Sequence, residues 1–168
     1  MPKQILNKII IIGEAGRGKS TLAEKLSKKM GIPHYSTDDY FFDVKFTKRR
    51  DKEQSIKDIS KIYLGEKWIV EGTTRHLLEP GLDFADLIIF LKYNSGFIQC
   101  CNLFMRHFVR KDESLIETLK MMKHVVYKRY GLGYKKGKTT HAQLIAPHKH
   151  KVIELSSFKQ IDHFLNSL

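Results

Sequence analysis

The segment from Gly13 to Ser20 reads Gly-Glu-Ala-Gly-Arg-Gly-Lys-Ser and restricts the folds that this chain can adopt. It follows Lys8 to Ile12, a β-branched run typical of a strand buried on both faces of a parallel sheet. It ends where Ser20 to Met30 begins, a segment in which apolar residues recur every four positions before Gly31. A strand, a glycine-rich loop and a helix in this order predict the start of an α/β domain.

The composition of this loop predicts that it binds phosphate. Glycines let consecutive backbone N–H groups turn toward phosphate oxygens, and the helix N-terminus adds its dipole. Lys19 would act as a catalytic cation at the β- and γ-phosphates of a nucleotide, and the Ser20 hydroxyl would ligate Mg²⁺. The predicted nucleotide contacts are Gly13, Glu14, Ala15, Gly16, Arg17, Gly18, Lys19, Ser20 and Thr21. The alternative is a glycine-rich turn that binds nothing.

Strands and helices are predicted to alternate along the rest of the chain. Four further strands are predicted, at 33–36, 67–70, 86–91 and 151–155. Helices are predicted at 51–64, 95–110 and 113–130, and after Ser157, which has capping-box spacing with Gln160. This alternation predicts a three-layer α/β/α fold with a five-stranded parallel sheet and a binding site at the carboxyl ends of the strands. Residues 1–168 are expected to form one domain.

Composition excludes several classes of protein. No apolar run approaches the roughly 20 residues that a membrane-spanning helix needs, and Met1 to Gln4 lack the features of a secretory signal. The two cysteines, Cys100 and Cys101, are adjacent and offer neither a disulfide framework nor a spaced zinc site. We therefore expect a cytoplasmic protein without membrane association.

Positive charge is concentrated in one part of the chain. The net charge is +12, and residues 92–151 hold thirteen Lys and Arg residues against three acidic ones. Such a field favours polyanions, whether nucleotides, phosphorylated metabolites or nucleic acid. The alternative is a solvated basic surface.

Two further stretches carry a resemblance to a known family, namely Trp68-Ile69-Val70-Glu71-Gly72 and Ala85 to Leu91. With the order of the segments, they make the chain similar over nearly its whole length to the adenylate-kinase-like P-loop kinases. The closest resemblance is to the subgroup labelled topology modulation proteins. It implies the strand order 2-3-1-4-5, the use of ATP with Mg²⁺, and a small phosphoryl acceptor.

The end of the third strand departs from the pattern of that family. Nucleotide kinases of this kind have Asp-Gly-x-Pro-Arg there, whereas this chain has Glu71-Gly72-Thr73-Thr74-Arg75. The resemblance implies that Glu71 accepts from Mg²⁺-bound water and that Arg75 holds the acceptor, whose identity the missing proline leaves open. The alternatives are a strand-end hydrogen bond for Glu71 and a surface ion pair for Arg75.

Asp38 and Asp39 directly follow the second strand. Small-molecule kinases of this superfamily place an acid there, which accepts the proton of the substrate hydroxyl or assists the metal. By this resemblance Asp38 is predicted to be catalytic and Asp39 to bind substrate, in an acceptor-binding helical insert at 39–66. The alternative is an Asx turn or a helix cap.

Arg106 and Arg110 lie four residues apart on the predicted helix, away from its apolar stripe. Related kinases place lid arginines here, which neutralise charge on the transferring phosphoryl group. Both are predicted to be catalytic, on a short lid at 106–113 that leaves no room for a zinc-bearing insert. The alternative is two solvated arginines.

His141, His148 and His150 have no carboxylate or cysteine at ligand spacing, so they are interpreted as loop histidines rather than a metal site. Two functions remain compatible with the sequence. One is an ATP- and Mg²⁺-dependent phosphotransferase that acts on a nucleotide, a nucleoside or a small hydroxyl metabolite. The other is a nucleotide-dependent protein associated with nucleic acid. A regulatory GTPase is disfavoured because no Asn-Lys-x-Asp motif is present.

Overall fold

A computed structural model describes residues 6–44, 48–92 and 140–168, together with residues 104, 119, 120, 122, 123 and 126. The strands are β1 Lys8–Gly13, β2 His34–Ser36, β3 Phe42–Val44, β4 Lys48–Arg49, β5 Trp68–Gly72, β6 Leu87–Leu91 and β7 Val152–Leu155. The α-helices with described bounds are α1 Lys19–Met30, α2 Thr37–Phe41, α3 Lys52–Tyr63, α4 Arg75–Leu78, α5 His141–Ile145 and α6 Phe158–Ser167, and two 3-10 helices span Glu79–Gly81 and Ala146–Lys151.

Five strands form a parallel sheet in the order β2-β5-β1-β6-β7. In the central strand β1, Ile10 pairs with Val70 of β5 and with Ile88 of β6. The predicted order 2-3-1-4-5, which counts only the strands of this sheet, is confirmed. Because the strands are parallel, Gly13 and Gly72 reach the same edge of the sheet.

The isoleucines of β1 explain why helices cover both faces of the sheet. All four are fully buried, and successive side chains of a strand point to opposite faces. Ile9 and Ile11 belong to a core with residues of α1 and α6. Ile10 and Ile12 belong to a second core with residues of α3, α4 and α5. Each face must bury its apolar side chains, so the predicted three-layer α/β/α architecture follows and is confirmed.

The ends of two helices agree with the sequence signals. The backbone N–H of Gly31 donates to the Ser27 carbonyl at 2.9 Å and ends α1. The Ser157 hydroxyl accepts from the Gln160 N–H at 3.2 Å and starts α6. Both boundaries lie at the predicted residues.

The segment at 39–66, predicted as a helical insert, contains two strands in addition to its helices. Strands β3 and β4 pair as an antiparallel hairpin between α2 and α3, which the sequence analysis did not predict. Asp43 and Arg50 hold the base of this hairpin through an ion pair of 3.1 Å. The predicted helices at 95–110 and 113–130 and the short lid at 106–113 lie outside the continuously described residues. Within the described part of the chain, no helix is both long enough and apolar enough to cross a membrane.

Candidate active site

The loop between β1 and α1 has a backbone suited to an anion. Gly16 and Gly18 adopt left-handed conformations, with φ of 75° and 77°, which other residues rarely adopt. A left-handed residue among right-handed ones turns successive N–H groups into one concavity. α1 begins immediately afterwards at Lys19, so its N-terminal N–H groups face the same region. Thr21 is exposed in the first turn of α1.

Lys19 is buried at the base of this loop, with only 8 % of its surface exposed. Its Nζ donates to the Glu14 carbonyl at 3.0 Å. Burial lowers the pKa of Lys19 from its ordinary value, while the charges of Glu71, Asp38 and Glu14 oppose that shift. The ammonium group therefore lies among three carboxylates from three separate segments.

Ser20 and Glu71 form the most direct contact of the site. The Ser20 hydroxyl donates to Glu71 Oε1 at 2.8 Å, and Glu71 is only 5 % exposed at the end of β5. β5 is the neighbour of β1, and Ile11 pairs with Glu71. A hydroxyl and a carboxylate are hard oxygen donors, and Mg²⁺ usually keeps several waters beside one or two such ligands. The pair therefore fits the predicted Mg²⁺ site.

A fuller metal cage is not found among the described residues, which include no group of three or more His, Cys, Asp or Glu side chains able to hold an ion. A site with few protein ligands is typical of Mg²⁺ that is shared with a phosphate.

Asp38 and Asp39 lie in the first turn of α2, directly after β2. Their helix is capped by Ser36, whose hydroxyl accepts from the Asp38 N–H at 3.3 Å, so neither aspartate serves as the cap. Asp38 is half-buried, and its charge acts on Lys19. Asp39 is exposed. The structure thus brings Asp38 into the electrostatic surroundings of Lys19.

Thr37 and Gly72 set the position of α2 against β5. Both residues are buried, and a Cβ added to Gly72 would lie 1.8 Å from Thr37 Oγ1. No side chain larger than hydrogen fits between the two elements. This close approach holds the start of α2 beside the carboxyl end of β5.

Arg75 begins α4 and is half-buried. It makes no hydrogen bond or ion pair with other described residues. The neighbouring His76 packs its ring 5.8 Å from that of Phe41 in α2, and burial lowers its pKa, assisted by the charge of Lys52. Arg75 therefore directly precedes, in α4, the residue that packs against α2.

Arg17 and Thr73 connect the loop to the neighbouring strands. The Arg17 guanidinium donates to the Leu91 carbonyl at the end of β6 at 2.7 Å. The Thr73 hydroxyl donates to the Gly13 carbonyl at 3.2 Å. The loop is therefore fixed to the ends of both strands beside β1.

His141 is a site residue that the sequence analysis missed. It is buried at the start of α5, with Nε2 lying 2.9 Å from the Thr73 carbonyl and Nδ1 lying 3.5 Å from Glu14 Oε1. The interpretation as a loop histidine is wrong for this residue. The spacing of Thr140 and Gln143, which form a capping box, signals a helix start that would have placed His141 in an ordered element. Arg106 and Arg110 lie outside the described residues.

Comparison with curated proteins gives partial matches. The chain is 37 % identical over 84 residues to the uncharacterized protein YqaC of Bacillus subtilis (strain 168), which covers 49 % of this chain and 47 % of that protein. A shorter match, 53 % identical over 34 residues, covers 20 % of this chain and 19 % of an adenylate kinase from Mycolicibacterium smegmatis. The chain spans less than half the length of either relative. No family model matches it.

Solved structures match the chain over almost its full length. A shikimate kinase from Bacteroides thetaiotaomicron has a TM-score of 0.57 at 15 % identity, covering 97 % of this chain and 96 % of that one. A gluconokinase from Sinorhizobium meliloti 1021 has a TM-score of 0.55 at 12 % identity, covering 98 % and 90 %.

Identities this low establish the fold alone. The chain has the three-layer fold of the P-loop kinases. This conclusion rests on the glycine-rich loop after β1, on the strand order and on the fold shared with these neighbours. The predicted resemblance to kinases of this fold is thereby confirmed. The narrower resemblance to topology modulation proteins stays a prediction.

Proposed function

We propose that this chain is an ATP- and Mg²⁺-dependent phosphotransferase that moves the γ-phosphoryl group to a small acceptor. The contact between Ser20 and Glu71 beside the buried Lys19 carries the proposal. It brings a hydroxyl, a carboxylate and a cation together at the start of a helix, which is the set of groups that a Mg²⁺-bound triphosphate requires. Ser20 and Glu71 would hold Mg²⁺, Glu71 through water, and the ion would neutralise charge on the phosphates.

The residues of the chain would act mainly by position and charge. Phosphoryl transfer requires little covalent chemistry from a protein, so alignment of the reactants supplies much of the rate. Backbone N–H groups of Gly13–Gly18 would hold the phosphates, and Lys19 would neutralise the transferring group. Asp38, whose charge already acts on Lys19, would accept a hydrogen bond from the acceptor hydroxyl and orient it.

The acceptor is best described as a small molecule with a hydroxyl and an anionic group. Asp38 suits a hydroxyl donor, and the half-buried Arg75 suits a carboxylate or phosphate. Asp39, which is exposed on α2, would also bind the acceptor. The full-length structural neighbours are a shikimate kinase and a gluconokinase, whereas the adenylate kinase match covers 20 % of the chain. Because Asp38 suits a hydroxyl rather than a phosphate as the attacking group, a hydroxyl metabolite is favoured over a nucleoside monophosphate.

A coupled kinase assay tests this proposal. Purified protein with ATP and Mg²⁺ would be screened against hydroxy acids, sugar acids, nucleosides and nucleoside monophosphates, with Lys19→Ala as the matched control. We expect phosphorylated product from one acceptor pool, none from the variant, and none without Mg²⁺. An absence of product in all pools, with no nucleotide binding, would reject the proposal.

The alternative, a nucleotide-dependent protein associated with nucleic acid, rests on the charge of residues 92–151. Most of that segment lies outside the described residues, and no contact within the described part of the chain favours this function. The alternative stays a prediction from sequence. A DNA-binding arm added to the same assay tests it.

A further inference from the structure

His141 joins two loops of the candidate site from a distant part of the chain. It opens α5, only 7 % of its surface is exposed, and the capping box of Thr140 and Gln143 fixes the start of its helix. Its ring lies between the Thr73 carbonyl, 2.9 Å from Nε2, and the Glu14 carboxylate, 3.5 Å from Nδ1. The imidazole therefore connects the phosphate loop with the segment that follows β5.

The partners of the ring determine where its protons lie. A carbonyl oxygen only accepts hydrogen bonds, so Nε2 must carry the hydrogen that faces Thr73. A neutral imidazole would then direct the lone pair of Nδ1 at the Glu14 carboxylate, and the two would repel each other. Protonation of both nitrogens satisfies both partners, so the geometry favours a positively charged His141 beside Glu14.

Glu14 is an unexpected residue for a loop that holds a triphosphate. A carboxylate there would repel the phosphates, and because only 24 % of the Glu14 side chain is exposed, water screens its charge only in part. The Glu14 charge already acts on Lys19, whose Nζ donates to the Glu14 carbonyl. Among the residues that the structure describes, the other charged groups that act on Lys19 are Arg17, Asp38 and Glu71.

We propose that His141 neutralises Glu14 and thereby allows the phosphate loop to bind a triphosphate without an opposing charge. This role of His141 rests on the proposed binding of nucleoside triphosphate at that loop. His141 acts through Glu14 rather than on the substrate, so it is a positioning residue. Because this role depends on charge, it predicts how the affinity for ATP changes when either charge, or both, is removed.

Four proteins give the test, with binding of ATP and Mg²⁺ measured by calorimetry. His141→Gln keeps a donor for the Thr73 carbonyl but removes the positive charge, so we expect ATP to bind about tenfold more weakly. Glu14→Gln removes the carboxylate that favours the charged imidazole, so we expect binding between the native affinity and about threefold tighter. The double variant restores the native charge balance and should bind within about twofold of the native affinity.

Two features separate this role from a merely structural one. The loss in His141→Gln should shrink as salt rises from low to high concentration, because screening weakens a charge effect. His148→Gln is the matched control, since His148 belongs to the same segment but lies 3.9 Å from Asp83 and away from the loop. We expect His148→Gln to bind ATP like the native protein.

The outcomes distinguish the role of His141 from the proposed function. Native-like binding by His141→Gln, or a double variant as weak as His141→Gln, would overturn the role of His141 while leaving the phosphotransferase intact. If the native protein does not bind ATP, the proposed function fails and this role falls with it. If His141→Gln does not fold, Glu14→Gln alone decides, because weaker binding by that variant, or binding about tenfold tighter as expected for removal of an unneutralised carboxylate, contradicts neutralisation.

Discussion

Lys19 shows how burial and charge compete at a single residue of this site. Burial disfavours its ammonium form, and the carboxylates of Glu71, Asp38 and Glu14 support that form. The three acids come from β5, α2 and the phosphate loop. The Lys19 ammonium group is therefore stabilised by the predicted metal ligand Glu71, by the predicted catalytic residue Asp38 and by Glu14 of the phosphate loop.

Replacement of Lys19 by alanine should abolish phosphoryl transfer and strongly weaken triphosphate binding. The loop backbone forms without this side chain, since glycines and the helix start shape it, so the fold should survive. Turnover, ATP affinity and thermal unfolding are the measurements, and Lys25→Ala, an exposed lysine of the same helix, is the control. Unchanged turnover in Lys19→Ala would contradict the catalytic assignment.

Glu71→Gln should remove most of the activity with a modest loss of nucleotide binding. Glutamine retains an acceptor for the Ser20 hydroxyl, so packing is kept while the negative charge that organises Mg²⁺ is lost. The rate is measured as a function of Mg²⁺ concentration, with the exposed Glu66→Gln as control. A variant with the native rate and Mg²⁺ dependence would show that Glu71 is structural.

At the scale of elements, the approach of α2 to β5 decides where Asp38 lies. α2 follows β2 without a loop, and β2 pairs with β5 through Ser36 and Glu71. The buried contact of Thr37 with Gly72 then fixes the first turn of the helix. The distance between Asp38 and the phosphate loop is therefore set by the packing of α2 against β5 rather than by a single side chain.

Gly72→Ala should destabilise the protein by about 3 kcal/mol, because the added Cβ overlaps Thr37 and must displace α2. Activity should fall as well, since Asp38 moves with that helix. Urea unfolding measures the first effect and the coupled kinase assay the second. Adding Thr37→Ala removes two of the three overlapping atoms, so the double variant should recover part of the stability. If Gly72→Ala is as stable as the native protein, α2 does not depend on this contact.

For the whole molecule, the net charge of +12 is compatible with both candidate functions. A positive field attracts a nucleotide or an anionic acceptor, and it equally attracts nucleic acid. The fold alone does not separate these uses, because P-loop folds carry many activities. Arg106 and Arg110, in the basic segment, are the residues for which the two functions predict different behaviour.

If Arg106 and Arg110 act on the transferring phosphoryl group, alanine at either position should lower kcat and kcat/KM together, by on the order of 10² to 10³. ATP affinity should change little. If the segment binds nucleic acid instead, the rate should stay native, and the salt dependence of DNA binding should fall by about one unit per lost phosphate contact.

Both quantities would be measured on Arg106→Ala and Arg110→Ala, with Lys67→Ala, an exposed lysine outside the segment, as control. A native rate beside a flatter salt dependence would favour the nucleic-acid function and contradict the predicted lid.

Patterns in the sequence predicted the parallel α/β class, the phosphate loop and the ends of α1 and α6, whereas the strand order came from the resemblance to kinases. These features depend on local patterns: a buried β-branched run, glycines at fixed spacing, and capping residues next to their helices. The resemblance to kinases implied that the strand of Glu71 lies beside the strand of the phosphate loop, and the structure brings Glu71 within 2.8 Å of the Ser20 hydroxyl. The roles of Asp38, Asp39, Arg75, Arg106 and Arg110 stay predictions.

Contacts between residues far apart in the chain depend on how the helices and strands pack in three dimensions. His141 meets Glu14 and Thr73 because α5 packs beside the ends of β1 and β5, and no local pattern encodes that approach. The need for glycine at position 72 likewise depends on Thr37, which another element supplies. Periodicity reports which face of an element is buried, whereas the partner across that face is fixed by how the elements pack.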